Sequence, residues 1–444
     1  MKIQKIVAGL IVVTIFALLP SMGFAQISSV ANTVVVPTEY AGGTQDNIHV
    51  FCGSRGATNA ALTATSPNAE AASFEWLRYN ALSGSFDFFQ SEPAGNTTST
   101  ISNLQDGAYR VNITGTSGVT TYTAWVFNNY IETTAQITNS DCNSFTLQGA
   151  IPDPSVLTYT DLTSGQPLVL NKGIQARWTA DGEAVSSVLQ YTEFSPPTKD
   201  TEYTLTVSDR FGCSSTSIVT YVSIVTKASF DYKVVEHAKG IKGKKEAPLT
   251  VEFTSTSKNG DPGKFEWFIF RDLDEIKRES EANPDAVIDS ILERIISDKP
   301  IYVFERPGTY RVKLVSQKKS EFTTCFDTVY IDDYIEIDTS FVEAPNFFTP
   351  NQDGSNDKFL VAFFSMQSVK MSIFNRWGKV VHVWESDNVR GFGPTQESDP
   401  QSVWDGKIGG KLATPGVYYY MVEGRGRDDK RRKTGGFVHL FRDK

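Results

Sequence analysis

The sequence predicts an all-β protein: tandem β-sandwiches in a row, one short helical insertion, and a further β-sandwich at the C-terminal end. Three observations carry this. Stretches such as Thr201-Glu202-Tyr203-Thr204-Leu205-Thr206-Val207 alternate apolar and polar residues, which puts one face of a strand into a core. The 33 Gly and 17 Tyr, set in a Thr/Ser/Val texture, favour many short strands joined by turns. A chain of 444 residues also exceeds what one ordinary core can serve, so it divides into several domains.

Hydrophobic residues at 40% and charged residues at 21% describe globular domains and not a disordered chain. The formal net charge of −9 supplies no counterion-release term, so nucleic acid is not an expected partner. Residues 1–25 read as a secretory signal peptide. Lys2 and Lys5 precede an apolar run from Ile6 to Leu19, Pro20 interrupts it, and Gly23-Phe24-Ala25 places a cut before Gln26. No Cys follows that cut, so a lipoprotein anchor is not expected there.

Four domains follow, at 26–139, 140–226, 227–338 and 339–444. The first shows half-buried strands at Ile48-His49-Val50-Phe51-Cys52, Ser73-Phe74-Glu75-Trp76-Leu77 and Tyr109-Arg110-Val111-Asn112-Ile113, with Trp76 and Tyr109 expected in its core. In the second, Phe145-Thr146-Leu147 and Ala176-Arg177-Trp178 precede the 201–207 alternation and a Ser208-to-Cys213 turn. Export makes disulfides available, and Cys52, Cys142, Cys213 and Cys325 allow three full pairings. Cys142 opens and Cys213 closes the second domain, which makes them the candidate disulfide. Cys52 and Cys325 then sit unpaired in separate domains. An early Cys, a central Trp178 and a late Cys resemble an immunoglobulin-like sandwich, with cysteines placed differently from the antibody pattern.

The third domain resembles the polycystic-kidney-disease (PKD) repeat. Phe265-Glu266-Trp267-Phe268-Ile269-Phe270 stands where that family has its aromatic strand. Phe304-Glu305-Arg306-Pro307-Gly308-Thr309-Tyr310 then leads into the period-two residues Val312 and Leu314. It departs from the family at Arg271-Asp272-Leu273-Asp274, and an insertion follows. There Asn283 as cap, Pro284 in the first turn and Asp285 predict a helix. Val287, Ile288, Ile291, Leu292 and Ile295 form its apolar stripe, expected to cover the sandwich. Lys239, Lys242, Lys244 and Lys245 read as a solvated hairpin tip.

The last domain carries four ordered motifs: Pro350, Asn351, Asp353, Gly354 and Asp357 in a polar turn; Phe374-Asn375-Arg376-Trp377-Gly378; Trp404-Asp405-Gly406; and Pro415-Gly416 with Tyr418. Trp377 and Tyr418 are expected to pack in the core or its turns. Together the motifs resemble the gliding-motility-associated C-terminal domain of Bacteroidetes, the type B sorting signal of the type IX secretion system. The resemblance implies passage through the periplasm and across the outer membrane to the cell surface, with the type IX machinery and a PorP/SprF-like outer-membrane protein as partners. Asn351, Asp353, Asn356 and Asp357 present hard oxygens suited to Ca²⁺, against the simpler reading of a hydrogen-bonded turn. No other cofactor is expected.

No nucleophile elbow, phosphate loop or HExxH stretch occurs. The expected function is therefore non-enzymatic: an exported modular protein, structural or adhesive. The alternatives are a dedicated component of the secretion or gliding machinery, or a surface module that binds a glycan or protein ligand through aromatics exposed on one sheet.

Overall fold

Alternation becomes strand wherever a second sheet covers the apolar face. The 201–207 pattern forms the strand Thr201–Ser208 with Tyr203, Leu205 and Val207 buried. A computed structural model of the chain describes residues 27–442 apart from 31–32, 44, 237–244, 388 and 390–401. The signal peptide and Lys239, Lys242 and Lys244 therefore lie outside the described residues. The strands on either side of that basic stretch, Phe230–Glu236 and Leu249–Ser255, pair antiparallel.

Two compact units emerge. One runs to Thr138 and takes in Thr146–Tyr191 and Glu202–Thr220; the other comprises Asn139–Phe145, Thr192–Thr201 and the chain from Tyr221 onward. In the first unit a six-stranded sheet runs Val34–Pro37, Asn47–Cys52, Gly118–Asn129, Gly107–Gly115, Ala72–Asn80, Ser85–Asn96. Its buried Phe74, Trp76, Tyr109, Val111 and Val126 share a core with Ala60, Leu62 and Ile101 of the sheet Ile27–Ser29, Ala60–Thr65, Thr98–Leu104. The strand Gln175–Ala180 pairs with Thr201–Ser208 and buries Trp178.

The second unit holds two sandwiches. One pairs the sheet Phe230–Glu236, Leu249–Ser255, Ile301–Phe304 with the sheet Ile291–Ile296, Glu266–Phe270, Val312–Lys319, Thr324–Tyr330, around Phe253, Trp267, Phe304 and Leu314. The other is the C-terminal domain. Buried Ser365 links the two. Its N–H donates to Glu246 Oε1, its Oγ accepts from the Ala247 N–H and donates to the Asp338 carbonyl, and its carbonyl accepts from Ser340 Oγ and the Arg427 N–H.

Trp76, Trp178, Trp267 and Trp404 are fully buried, and the indole N–H of each is satisfied, as burial of a polar group requires. Trp76 donates to Ser99 Oγ, Trp178 to the Leu189 carbonyl, Trp267 to the Ser297 carbonyl and Trp404 to the Lys407 carbonyl, at 3.0, 3.3, 2.7 and 2.8 Å.

Two expectations are corrected. The only α-helix among the described residues is α1, Leu273–Ala282, which ends where the sequence reading began it. Asp272 caps it by accepting from the Glu275 N–H, and Asp274 and Glu275 favour its positive end. Ile291, Leu292 and Ile295 of the stripe that was to be helical join the strand Ile291–Ile296, because it can hydrogen-bond along the open edge of Glu266–Phe270, and Val287 and Ile288 precede it outside any helix or strand. Helix α1 buries no residue, and Val287, Ile291, Leu292 and Ile296 remain exposed.

The second correction concerns cysteine. Cys142 does not pair with Cys213. The disulfides are Cys52–Cys213, with Cα atoms 5.2 Å apart, and Cys142–Cys325, at 5.4 Å, which leaves no described cysteine free. Proximity in sequence selected a partner within one domain, whereas Cα separation decides, and packing of the domains sets that separation.

Within the first unit, buried His49 rests its Nδ1 against Ser29 Oγ at 2.8 Å, and burial pushes its imidazole down to about 4 from 6.5. Folding therefore favours the neutral ring. Its contribution is complete above about pH 6.5, is lost progressively as pH falls toward 4, and is constant below that, with ~3 kcal/mol at stake. Urea unfolding of wild type and His49→Gln at pH 7, 5 and 4 should show the stability gap changing by that amount; a gap independent of pH would contradict the assignment.

Candidate functional site: the C-terminal domain

The domain is built on a sheet in the order Phe347–Phe348, Arg431–Leu440, Gly416–Gly426, Met366–Phe374, Val380–Ser386. The first pair is parallel and the others antiparallel. One face carries Phe348, Met371, Ile373, Tyr418, Val422, Val438 and Leu440 into the core with Phe359 and Trp404.

Three of the four sequence motifs meet here. The Trp404 ring lies edge-on to Tyr418 at 4.8 Å and against Phe348 at 5.3 Å. Asp405 Oδ1 accepts from the Lys407 N–H, closing the turn that follows Trp404. Gly406 has φ +74°, and a Cβ there would stand 2.8 Å from Pro350 Cγ, so only glycine lets the polar turn approach. Tyr418 donates its hydroxyl to the Thr414 carbonyl at 2.8 Å across Pro415-Gly416, while burial raises its phenol above the ordinary range.

The polar turn is held from within. Asp357 Oδ1 accepts from the Gln352 N–H and Oδ2 from the Gly354 N–H; Asp353 Oδ1 accepts from the Ser355 N–H and Oδ2 from Asn351 Nδ2. These bonds hold the Asp353 carboxyl below its usual range. The Asn356 carbonyl accepts from the Thr349 N–H, and Gln352, Gly354 and Asn356 all take left-handed backbone conformations. Asn351, Asp353, Asn356 and Asp357 thus share one turn, and each carboxylate oxygen already binds a donor of that turn, which accounts for its shape by hydrogen bonding.

The remaining motif forms the hairpin after Phe374. Asn375 Oδ1 accepts from the Trp377 and Lys379 N–H groups, and Gly378 takes φ +78°. Trp377 is not a core residue: it is 75% exposed, with the Arg376 guanidinium over its ring 4.2 Å from the centroid. Asn375 fixes the backbone of this turn, so its aromatic residue is aimed outward. The outer face of the sheet is aromatic too. Tyr419 and Phe437 are cross-strand partners, Phe347 is in register with His439, and Phe441 stacks on His439 at 5.5 Å. Tyr419, Phe347, Phe437 and Phe441 are exposed.

One repeated feature escaped the sequence reading. Tyr109, Tyr310 and Tyr418 each donate a hydroxyl to the carbonyl four residues earlier, Gln105, Arg306 and Thr414. Each is preceded by Asp-Gly or Pro-Gly, and Gly107, Gly308 and Gly416 have φ of 148°, 153° and 149°. The signal was legible as [Asp/Pro]-Gly-x-Tyr, a tyrosine corner repeated in three sandwiches.

Residues 342–440 match the family described as CHU_C type IX secretion signal domain. No curated protein matches the chain. Among solved structures, a tetra-tandem repeat in the extending region of a large adhesion protein aligns at 11% identity over 86% of this chain and 96% of that one, with a TM-score of 0.28. A Ca²⁺-stabilised adhesin with which an Antarctic bacterium binds ice aligns at 12% over 89% and 96%, TM-score 0.21. The N-terminal four immunoglobulin domains of Dscam1 align at 13% over 93% and 99%, TM-score 0.24. No helix among the described residues is long and apolar enough to cross a membrane.

Gly406→Ala and Gly354→Ala separate backbone strain from close approach. Both residues have positive φ, but nothing lies within 4 Å of a Cβ at 354. The Gly354 variant should lose about 1 kcal/mol, and the Gly406 variant clearly more, in thermal or urea unfolding. Equal losses would contradict the packing of Pro350 on Gly406.

Proposed function

We propose that the protein is a non-enzymatic modular surface protein, structural or adhesive, whose C-terminal domain directs export and thereafter holds it at the outer membrane. The observation that carries this is the type IX secretion signal domain at residues 342–440, which marks the chain for export to the cell surface. The upstream sandwiches supply a passenger of the right kind. Each buries a tryptophan, and two disulfides suit it to the oxidising compartments on that route.

The exposed aromatic face of the sheet supports a docking role. Tyr419, Phe437, Phe441 and Phe347 form one contiguous exposed patch, and such patches mark interaction surfaces. We take its partner to be an outer-membrane protein of the secretion machinery, of the PorP/SprF kind.

The test is surface delivery of the full chain carrying Tyr419→Ala, Phe437→Ala and Phe441→Ala, beside a chain lacking residues 344–444. Both should accumulate in the periplasm while the first unit stays folded by protease resistance. The triple variant is the more informative, because the truncation also removes Ser365 from Glu246 and Ala247. Normal display of the truncated chain would overturn the sorting role, and normal display of the triple variant would overturn the docking face.

A further inference from the structure

The first unit contains a cleft of about 620 Å³ walled by the first sandwich on one side and by the hairpin Val156–Thr160/Pro167–Asn171 on the other. We propose that this cleft binds a neutral carbohydrate chain.

Its apolar surface is aromatic and partly presented to solvent. Phe88 and Phe89 line it from Ser85–Asn96, the edge strand of the six-stranded sheet, and are 65% and 38% exposed. Consecutive strand residues ordinarily face opposite ways. Here the register passes from Trp76 opposite Gln90 to Leu77 opposite Phe88, so Phe89 is the extra residue of a β-bulge. Bulges at sheet edges re-aim side chains, and this one brings both rings to a single cleft. Phe89 is braced edge-on by Tyr109 at 5.4 Å, and deeper in the cleft Trp125 meets Tyr159 edge-on at 5.7 Å. Exposing two adjacent phenylalanines forgoes burial that the edge strand had available, which is the cost expected where the rings meet a ligand.

Polar groups are interleaved with the rings. Asp87 holds Asn80 Nδ2 with Oδ2 at 2.8 Å, and Asp106 binds Asn128 through Oδ1. The second oxygen of each carboxylate accepts no hydrogen bond among the described residues, so each is available to a ligand hydroxyl. Arg78 is fixed against Gln105 and the Asp106 carbonyl and adds donors at the same rim. Sugars present C–H faces that pack on rings and hydroxyls that both donate and accept, matching this mixture. Two carboxylates against one guanidinium disfavour an anionic polymer.

The walls are also fixed in advance. Cys52–Cys213 ties them, the Glu39 N–H donates to Tyr159 Oη, the Ala41 N–H to Asp161 Oδ2, and Asn129 Nδ2 to Asp209 Oδ2. A preformed cleft spares a ligand the cost of ordering its site.

The inference does not rest on the export reading, and Phe88→Ala/Phe89→Ala should reach the cell surface as wild type does. The purified mature chain is titrated with cellohexaose, xylohexaose, mannohexaose and chitohexaose, followed by calorimetry and by fluorescence, to which Trp125 responds. At least one oligosaccharide should bind saturably. Phe88→Ala/Phe89→Ala should weaken that binding by roughly tenfold or more in a chain that still unfolds in a cooperative thermal transition. Asp87→Asn should weaken it several-fold, and Trp377→Ala, an exposed tryptophan remote in sequence from the cleft, should leave it unchanged. Absence of binding by all four at millimolar concentration would overturn the proposal, as would binding that survives the phenylalanine substitutions.

Discussion

Two covalent links, each closing a loop longer than any single sandwich, set the conditions for everything else in this chain. Cys52–Cys213 spans 161 residues and Cys142–Cys325 spans 183. Loop closure on this scale restricts the unfolded chain by ~5 kcal/mol each in the chain-entropy treatment. The larger consequence is positional. Cys213 ends a turn in which Asp209 Oδ1 accepts from the Phe211 and Cys213 N–H groups, while Asp209 Oδ2 and Cys213 Sγ both receive Asn129 Nδ2. The disulfide thus anchors a hydrogen-bonded corner, and the aromatic cleft depends on the two walls that this corner joins.

A chain bound in this way needs an oxidising compartment to complete its fold, and a secretion signal takes it through one. In the second unit the equivalent joint beside the secretion domain is polar. Buried Ser365, Ser340 and Glu246 form a network with the half-buried Asp338, with Arg432 donating to the Ser340 carbonyl and pairing with Asp428. Buried networks of this kind hold one geometry because each member left unpaired is costly. The secretion domain is consequently presented in a fixed setting, with its core face occupied and its outer aromatic face exposed.

Much of this was legible in the sequence. Strands, core tryptophans and Gly turns follow from short-range rules, and Trp76, Trp178, Trp267 and Trp404 are all buried. The failures lie where a distant partner decides. Ile291, Leu292 and Ile295 satisfy a helical template, yet the open edge of the Trp267 strand offered backbone hydrogen bonds that the template does not contain. Meanwhile Asp272, read as a departure from a turn pattern, was the true N-cap; its second oxygen accepts from the Thr309 N–H and so also holds the tyrosine corner. Cysteine pairing failed for the same reason, since it depends on how domains pack. Trp377 failed because turn chemistry at Asn375 aims a residue that composition alone assigns to a core. At the candidate sites, the secretion motifs could be read as motifs, whereas the cleft could not, because its walls come from residues about eighty positions apart brought together by a bulge and a disulfide.

The account turns on which cysteines are joined. Peptide mapping of the native mature protein under non-reducing conditions addresses that directly. It should yield one linked peptide pair containing Cys52 and Cys213 and a second containing Cys142 and Cys325, both released by reduction. A linked pair containing Cys142 and Cys213, or free thiol at Cys52 and Cys325, would contradict it.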